Sequence, residues 1–166
     1  MSTIAVVGNP KPHSRTRSAA ELVVERLTGA PPDRVVDVIE LGAGLLGWGD
    51  PAVEDAVAAL QAAEVAVVAS PTYKATYTGL LKLFLDQIGT GDLAGVVAVP
   101  LMLGGGPTHF LAPELLLKPV LVELGATAPT RGLYLMDKVW DDPAQLDPWL
   151  AVAKPQVDAA RAIRRG

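Results

Sequence analysis

The sequence predicts one α/β domain with a parallel sheet and helices on both of its faces. Two observations carry this. Short runs rich in β-branched residues alternate along the whole chain with longer segments of helical period, the pattern of successive strand–helix units. Three of the short runs are nearly continuous Val, Ile, Ala and Leu, as expected of strands covered on both sides. The chain has 166 residues, half of them apolar, with no internal repeat and no linker-like tract, so a single domain spanning 1–166 is the expectation.

Five strand runs are read in order: Thr3 to Gly8, Arg34 to Leu41, Val65 to Ser70, Val96 to Leu103 and Pro129 to Met136. The second and fifth are less continuously apolar and belong nearer an edge. Between them, Thr16 to Leu27 repeats apolar residues at helical spacing, and Pro51 to Ala63 follows Asp50 as N-cap with Pro at the first helical position. Thr78 to Ile88 and Thr108 to Leu124 complete the crossovers, with Gly125 as the stop of the latter. Pro143 to Arg165 forms the last helix, irregular at Pro148 and Pro155. Gly29 to Asp33 and Gly42 to Gly49 are read as loops. Periodicity leaves two arrangements of five parallel strands open, a Rossmann half and the flavodoxin-like order 2-1-3-4-5.

Composition narrows the chemistry. There is no cysteine, which removes disulfides, thiolate nucleophiles and cysteine-bound metals. A formal charge of −4 argues against sequence-independent nucleic-acid binding, and Arg161, Arg164 and Arg165 read as cations at the end of the last helix, where they complement its dipole. No apolar run approaches the roughly 18 residues needed to span a bilayer, and the first run, Ile4 to Val7, is too short for a secretory leader. The expected location is cytoplasmic, without membrane contact.

In an open parallel sheet, ligands bind beyond the carboxyl ends of the strands. Three loops there hold suitable residues. Gly8 to Thr16 (GNPKPHSRT) is neither a dinucleotide fingerprint nor a Walker loop; it places Ser14, Arg15 and Thr16 at a helix start, where N–H groups, two hydroxyls and a cation converge on one anion. A phosphate monoester suits that set. The alternative is a plain helix cap from Ser14 or from Ser18, which has capping-box spacing to Glu21. Ser70 to Gly79 (SPTYKATYTG) leaves a strand through Pro71 and presents Thr72, Tyr73 and Lys74, a platform for a flat ring such as a flavin, or else ordinary half-buried aromatics and a solvated lysine. Leu103 to His109 (LGGGPTH) places Gly104, Gly105 and Gly106 directly after a strand, which permits positive φ and close approach to a ligand plane, or a tight turn.

Taken together, these segments resemble the NAD(P)H-dependent FMN reductases, and within them the alkanesulfonate-type branch of two-component monooxygenase systems. GNPKPHSRT resembles that family's phosphate loop, SPTYKATYTGLLKLFLDQI its Pro-x-Tyr-Lys flavin loop and following helix, and GGGPTHFLAPELLLKPVL its glycine segment and following helix. The likeness spans nearly the whole chain in the same order. It implies a flavodoxin-like three-layer α/β/α sandwich with strand order 2-1-3-4-5, and FMN with NADPH or NADH as hydride donor. By the resemblance, Ser14, Arg15 and Thr16 hold the phosphate, Pro71 to Ala75 line the isoalloxazine, and Gly104 to Gly106 close over its other edge. Asn9 stands where a Ser is common, and Leu115 where some sulfonate-type members carry a Tyr associated with a helix irregularity.

Hydride transfer between stacked rings needs proximity rather than acid–base help, so no dedicated catalytic residue is expected. Reduced FMN would pass to a flavin-dependent monooxygenase. A quinone, azo-compound or metal reductase with bound FMN, and a flavodoxin-like electron carrier, are the alternatives. His109 beside the glycine loop is read as capping, packing or contacting a neighbour, and no metal site is expected because His13 lies on a different loop. Phe110 to Leu124 carries Leu115, Leu116, Leu117, Val120, Leu121, Val122 and Leu124, more than one helical stripe, which predicts a homodimer or homotetramer built on this helix.

Overall fold

The computed structural model describes residues 1–164 and forms a five-stranded parallel sheet in the order β2-β1-β3-β4-β5. The strands are β1 (Thr3–Val7), β2 (Arg34–Asp37), β3 (Val65–Pro71), β4 (Val97–Gly104) and β5 (Leu133–Met136). The helices are α1 (Arg15–Thr28), α2 (Pro51–Ala62), α3 (Gly79–Leu85), α4 (Lys118–Glu123) and α5 (Pro143–Arg164). The order is the flavodoxin-like one, and the two less apolar runs form its edges. The last helix covers its expected range except for Arg165, which lies outside the described residues.

Strand alternation sorts the core into two halves. Ile4, Val6, Ala66, Val68, Ala98 and Met102 face Val53 and Leu60 of α2, Leu81 and Phe84 of α3, and Leu117 and Leu121. Ala5, Val7, Val67, Val99 and Leu101 face Val23 and Val24 of α1 and Leu146, Leu150, Ala153 and Val157 of α5. The α5 residues recur at helical spacing, and burial of that stripe offsets the hydrogen bonds lost at Pro148 and Pro155, so the helix runs through both prolines for 22 residues.

Several expectations of regular structure are corrected. The run Arg34 to Leu41 ends as a strand at Asp37 because its partner ends there: Val7 pairs with Asp37, and the chain beyond Val7 turns away through Gly8 and Pro10. Val38–Leu46, partly expected to be loop, instead winds into 3₁₀ turns broken at Gly42, whose φ is +55°. The run Pro129 to Met136 likewise pairs only from Leu133, opposite Leu101.

The single helix expected over Thr108 to Leu124 is broken into a 3₁₀ turn (Pro107–His109), a π-helical turn (Pro113–Leu117) and α4. Pro107, Pro113 and Pro119 each lack an N–H, and the Lys118 N–H skips to the Pro113 carbonyl five residues back. The turn is also tied to the approach to β5. Glu114 accepts from the Gly132 N–H and from Lys118 Nζ (2.9 Å), which also donates to the Thr130 carbonyl (2.9 Å). Burial opposes the Glu114 charge, but the Gly132 N–H and the Lys118 ammonium outweigh it and hold the carboxyl below its ordinary range.

Candidate functional site

A cavity of about 310 Å³ opens at the carboxyl ends of β1, β3, β4 and β5. Its wall contains Asn9, Lys11, Ser14, Arg15 and Thr16 from the first loop and α1, Pro71, Thr72 and Tyr73 from the end of β3, Leu103, Gly104 and Gly105 from β4, and Asp137 after β5. Three loops far apart in sequence thus meet around one volume, at the position the sheet order dictates.

At one end stands the start of α1. Ser14 is its N-cap, accepting from the Arg17 N–H at 3.3 Å, while Ser18 lies inside the helix. Capping leaves the Ser14 hydroxyl proton free to donate. The Thr16 hydroxyl, nearly fully buried, accepts from Asn9 Nδ2 at 2.9 Å and keeps its proton for another acceptor. The N–H groups of Arg15 and Thr16 belong to the first turn and have no intrahelical acceptor. Asn9 also closes an Asx turn with the Lys11 N–H (2.9 Å), which brings the lysine to the wall. Arg15 is exposed, and its Nη1 reaches the carboxylate of Asp137 at 3.4 Å and its carbonyl at 3.3 Å.

Behind this loop lies a buried carboxylate. Asp37 accepts from the His13 N–H at 3.2 Å and stands 3.8 Å from Arg17 Nη1, whose Nε bonds Glu21 at 2.8 Å. Burial pushes the Asp37 carboxyl up; the His13 N–H works against that, Glu40 with it, and Arg17 against it. Its Oδ1 has no hydrogen-bond partner. The bond to His13 holds a residue with φ +51°, so Asp37 fixes a strained step in the loop just before Ser14.

The second loop is a tight hairpin. Tyr73 and Thr76 exchange both backbone hydrogen bonds, at 2.9 and 3.2 Å, with Lys74 (φ +51°) and Ala75 (φ +70°) at the tip. Two consecutive left-handed residues without a glycine form the turn type that normally takes Asn-Gly. The Thr72 N–H is taken by the Leu103 carbonyl at 2.7 Å, so it and the Tyr73 N–H are not available to a ring edge. Tyr73 is half exposed at the wall. Thr72 Oγ1 is buried without a hydrogen bond of good geometry, although it lies near the Tyr134 phenol.

The positive φ that the three glycines would permit is not used. None of Gly104, Gly105 and Gly106 has a positive φ. A methyl group on Gly104 would overlap the Tyr134 hydroxyl and come within 2.6 Å of its Cζ, whereas Gly105 and Gly106 face open space. Tyr134 donates to the Gly106 carbonyl at 2.7 Å, and burial pushes its phenol above the ordinary value. Gly104 is therefore small to admit a side chain from β5, which in turn props the glycine loop beside the cavity.

Comparison with known proteins decides the family. Residues 1–141 match the model of the family described as NADPH-dependent FMN reductase. The chain belongs to the NADPH-dependent FMN reductase family. As a member it is an NAD(P)H:FMN oxidoreductase. It is 33% identical over 150 residues to an FMN reductase (NADPH) of Escherichia coli K12, covering 82% of this chain and 74% of that one. It is 32% identical over 157 residues to the NADH-dependent FMN reductase SfnF of Pseudomonas putida, covering 87% and 84%. A solved structure described as an apo form of NADH:FMN oxidoreductase (EMOB) superimposes with a TM-score of 0.81 at 32% identity, over 97% of this chain and 88% of that one.

Of the residues read from the sequence of this FMN reductase, the fold brings Ser14, Arg15, Thr16, Pro71, Thr72, Tyr73, Gly104 and Gly105 onto one wall. It does not bring Lys74, Ala75 or Gly106 there. Ala75 lines a second, apolar depression of about 220 Å³ with His109, Phe110, Leu111, Leu115 and Leu116. Asn9, Lys11, Leu103 and Asp137 were not assigned to the site. The same strand-end rule that selected the three loops also points to the end of β5, where Asp137 sits. Leu115 lies within the π-helical turn Pro113–Leu117. The site fits FMN in its donors: unspent hydroxyl and N–H groups with two cations at one end, and the orphaned Thr72 hydroxyl beside Tyr73 at the other. Among the described residues no group of His, Asp and Glu could hold a metal, and no helix is long and apolar enough to cross a membrane.

Proposed function

We propose that this cavity holds FMN, with the phosphate at Ser14, Arg15 and Thr16 and the isoalloxazine along Pro71, Thr72 and Tyr73, Gly104 and Gly105 closing its other edge. Lys74, Ala75 and Gly106 lie outside this wall, and Ala75 faces the second depression. The observation that carries this reading is the shared wall: free donors of a helix start and a loop–aromatic platform face the same volume.

FMN, when bound, supplies the ring that accepts a hydride from the dinucleotide. The chain's own residues bind and orient. The start of α1 fixes the phosphate end through N–H groups and hydroxyls, and the rigid Pro71 and Tyr134-propped Gly104 set the plane on which a ring rests. Tyr73, half exposed, leaves one side accessible to a nicotinamide. No side chain on the wall is placed to act as nucleophile, so the site works by proximity.

The open cavity supports delivery of reduced flavin to a flavin-dependent monooxygenase. A homodimer or homotetramer would use Phe110, Leu111, Leu115, Leu116 and Val122, all exposed, and Ala75 in the same depression would bring the flavin hairpin to that interface. Anaerobic stopped-flow mixing of the protein and FMN with NADH, and separately with NADPH, tests the activity. Rapid loss of the blue flavin absorbance is expected with at least one donor; bound FMN that neither donor bleaches would instead fit an electron carrier.

A further inference from the structure

We infer that Asp137 is a built-in competitor for the cation a flavin phosphate needs, so that the site exchanges FMN instead of retaining it. The inference rests on the phosphate site proposed above and concerns what tunes it. The cavity wall carries three charges, Lys11, Arg15 and Asp137. One of the two cations is already engaged across the mouth, with Arg15 Nη1 bonded to both the carboxylate and the carbonyl of Asp137. The partners come from opposite ends of the chain, α1 and the turn after β5.

The carboxylate does not reach the cavity by chance of a mobile loop. The Asp137 N–H donates to the Gly104 carbonyl at 2.9 Å, which pins the residue to the end of β4, on the wall itself. A phosphate monoester, carrying roughly 1.5 to 2 negative charges, must therefore displace Asp137 from Arg15 and then lie near a like charge whose backbone is held at the wall. The pair is exposed on both sides, at 62% and 40% for the two side chains, so it weakens phosphate binding by a modest factor and does not block it. A carboxylate in an anion site makes chemical sense where the flavin is meant to leave.

Asp137→Asn keeps the size, the backbone bond to Gly104 and the carbonyl contact, and removes only the charge. The expected result is FMN binding tighter by about fivefold, mostly through slower dissociation, with riboflavin binding unchanged. The gain should shrink as salt is raised, since exposed charges are screened over about 10 Å at 0.1 M. Flavin fluorescence titrations of FMN and riboflavin against the wild type and Asp137→Asn read both. A purely structural role would move the two ligands together, and that result overturns the inference. So does unchanged or weaker FMN binding, which would make Asp137 an aligner of Arg15. Arg15→Ala separates the levels: if it leaves the ratio of FMN to riboflavin affinity as in the wild type, the phosphate reading itself fails and takes the competitor with it.

Discussion

Substituting Gly104 by Ala probes the support beneath the glycine loop. The added methyl would overlap the Tyr134 hydroxyl and sit 2.6 Å from its Cζ, so the phenol must move and its hydrogen bond to the Gly106 carbonyl is lost. Overpacking of a fixed side chain costs about 1–3 kcal/mol and the hydrogen bond about 1 kcal/mol, which together predict a loss of about 2–4 kcal/mol. Tyr134→Phe alone should cost about 1 kcal/mol. In the double variant the hydroxyl is absent, so both the worst overlap and the lost bond are already counted. The two changes should then fall short of additivity by on the order of 1 kcal/mol. Urea unfolding of the four proteins measures all of this. A neutral Gly104→Ala, or strictly additive costs, would refute the claim that Gly104 exists to admit Tyr134.

Further expectations follow from other residues. Ala75→Gly should raise stability by on the order of 0.5 kcal/mol, because relief of a left-handed alanine outweighs the entropy of glycine, and Ala75→Val should lower it; urea midpoints check the signs. Asp37, whose carboxyl is raised by burial, binds its proton more tightly folded than unfolded, so stability from this group falls as pH rises from the ordinary carboxylate range through the raised value; Asp37→Asn should flatten that part of a stability–pH curve. Glu114 has the opposite sign. Its lowered value contributes stability above the ordinary carboxylate range that is lost as pH falls, and Glu114→Gln should remove this acid-side loss in the same measurement. Leu115→Asp, on an exposed apolar surface, should lower the oligomeric state seen by light scattering while leaving the monomer folded.

The strands and their order of burial were legible because they are local: continuous apolar runs became β1, β3 and β4, and the two weaker runs became edges. What ended a strand was not local. Val38 and Ile39 look as strand-like as Val35 and Val36, but Val7 has no successor to pair with them. The helix from Thr108 was misread because apolar spacing hides the effect of three prolines and of Glu114 reaching forward to Gly132. At the site, the cavity end at α1 was readable, since Ser14, Arg15 and Thr16 are contiguous at a helix start and line one wall. For the glycines, the positive φ was not found, and Gly104 also answers to Tyr134, thirty residues later, a contact that no local pattern announces. Asp137 was missed although the strand-end rule points to the end of β5, because nothing local marks its contact with the wall. Its place on the wall comes from the β4–β5 register and the Gly104 carbonyl, neither of which sequence spacing reveals.

The most direct test of the FMN site is to compare FMN with riboflavin binding in the wild type and in Ser14→Ala/Arg15→Ala. The two changes remove one hydroxyl and one cation from the proposed phosphate end while Pro71, Thr72, Tyr73 and Gly104 stay untouched. Loss of charge-assisted hydrogen bonds worth about 1.5–3 kcal/mol predicts FMN weakened by roughly ten- to a hundredfold, with riboflavin nearly unaffected. Equal losses for both flavins, or none for either, would contradict the assignment of the phosphate to the start of α1.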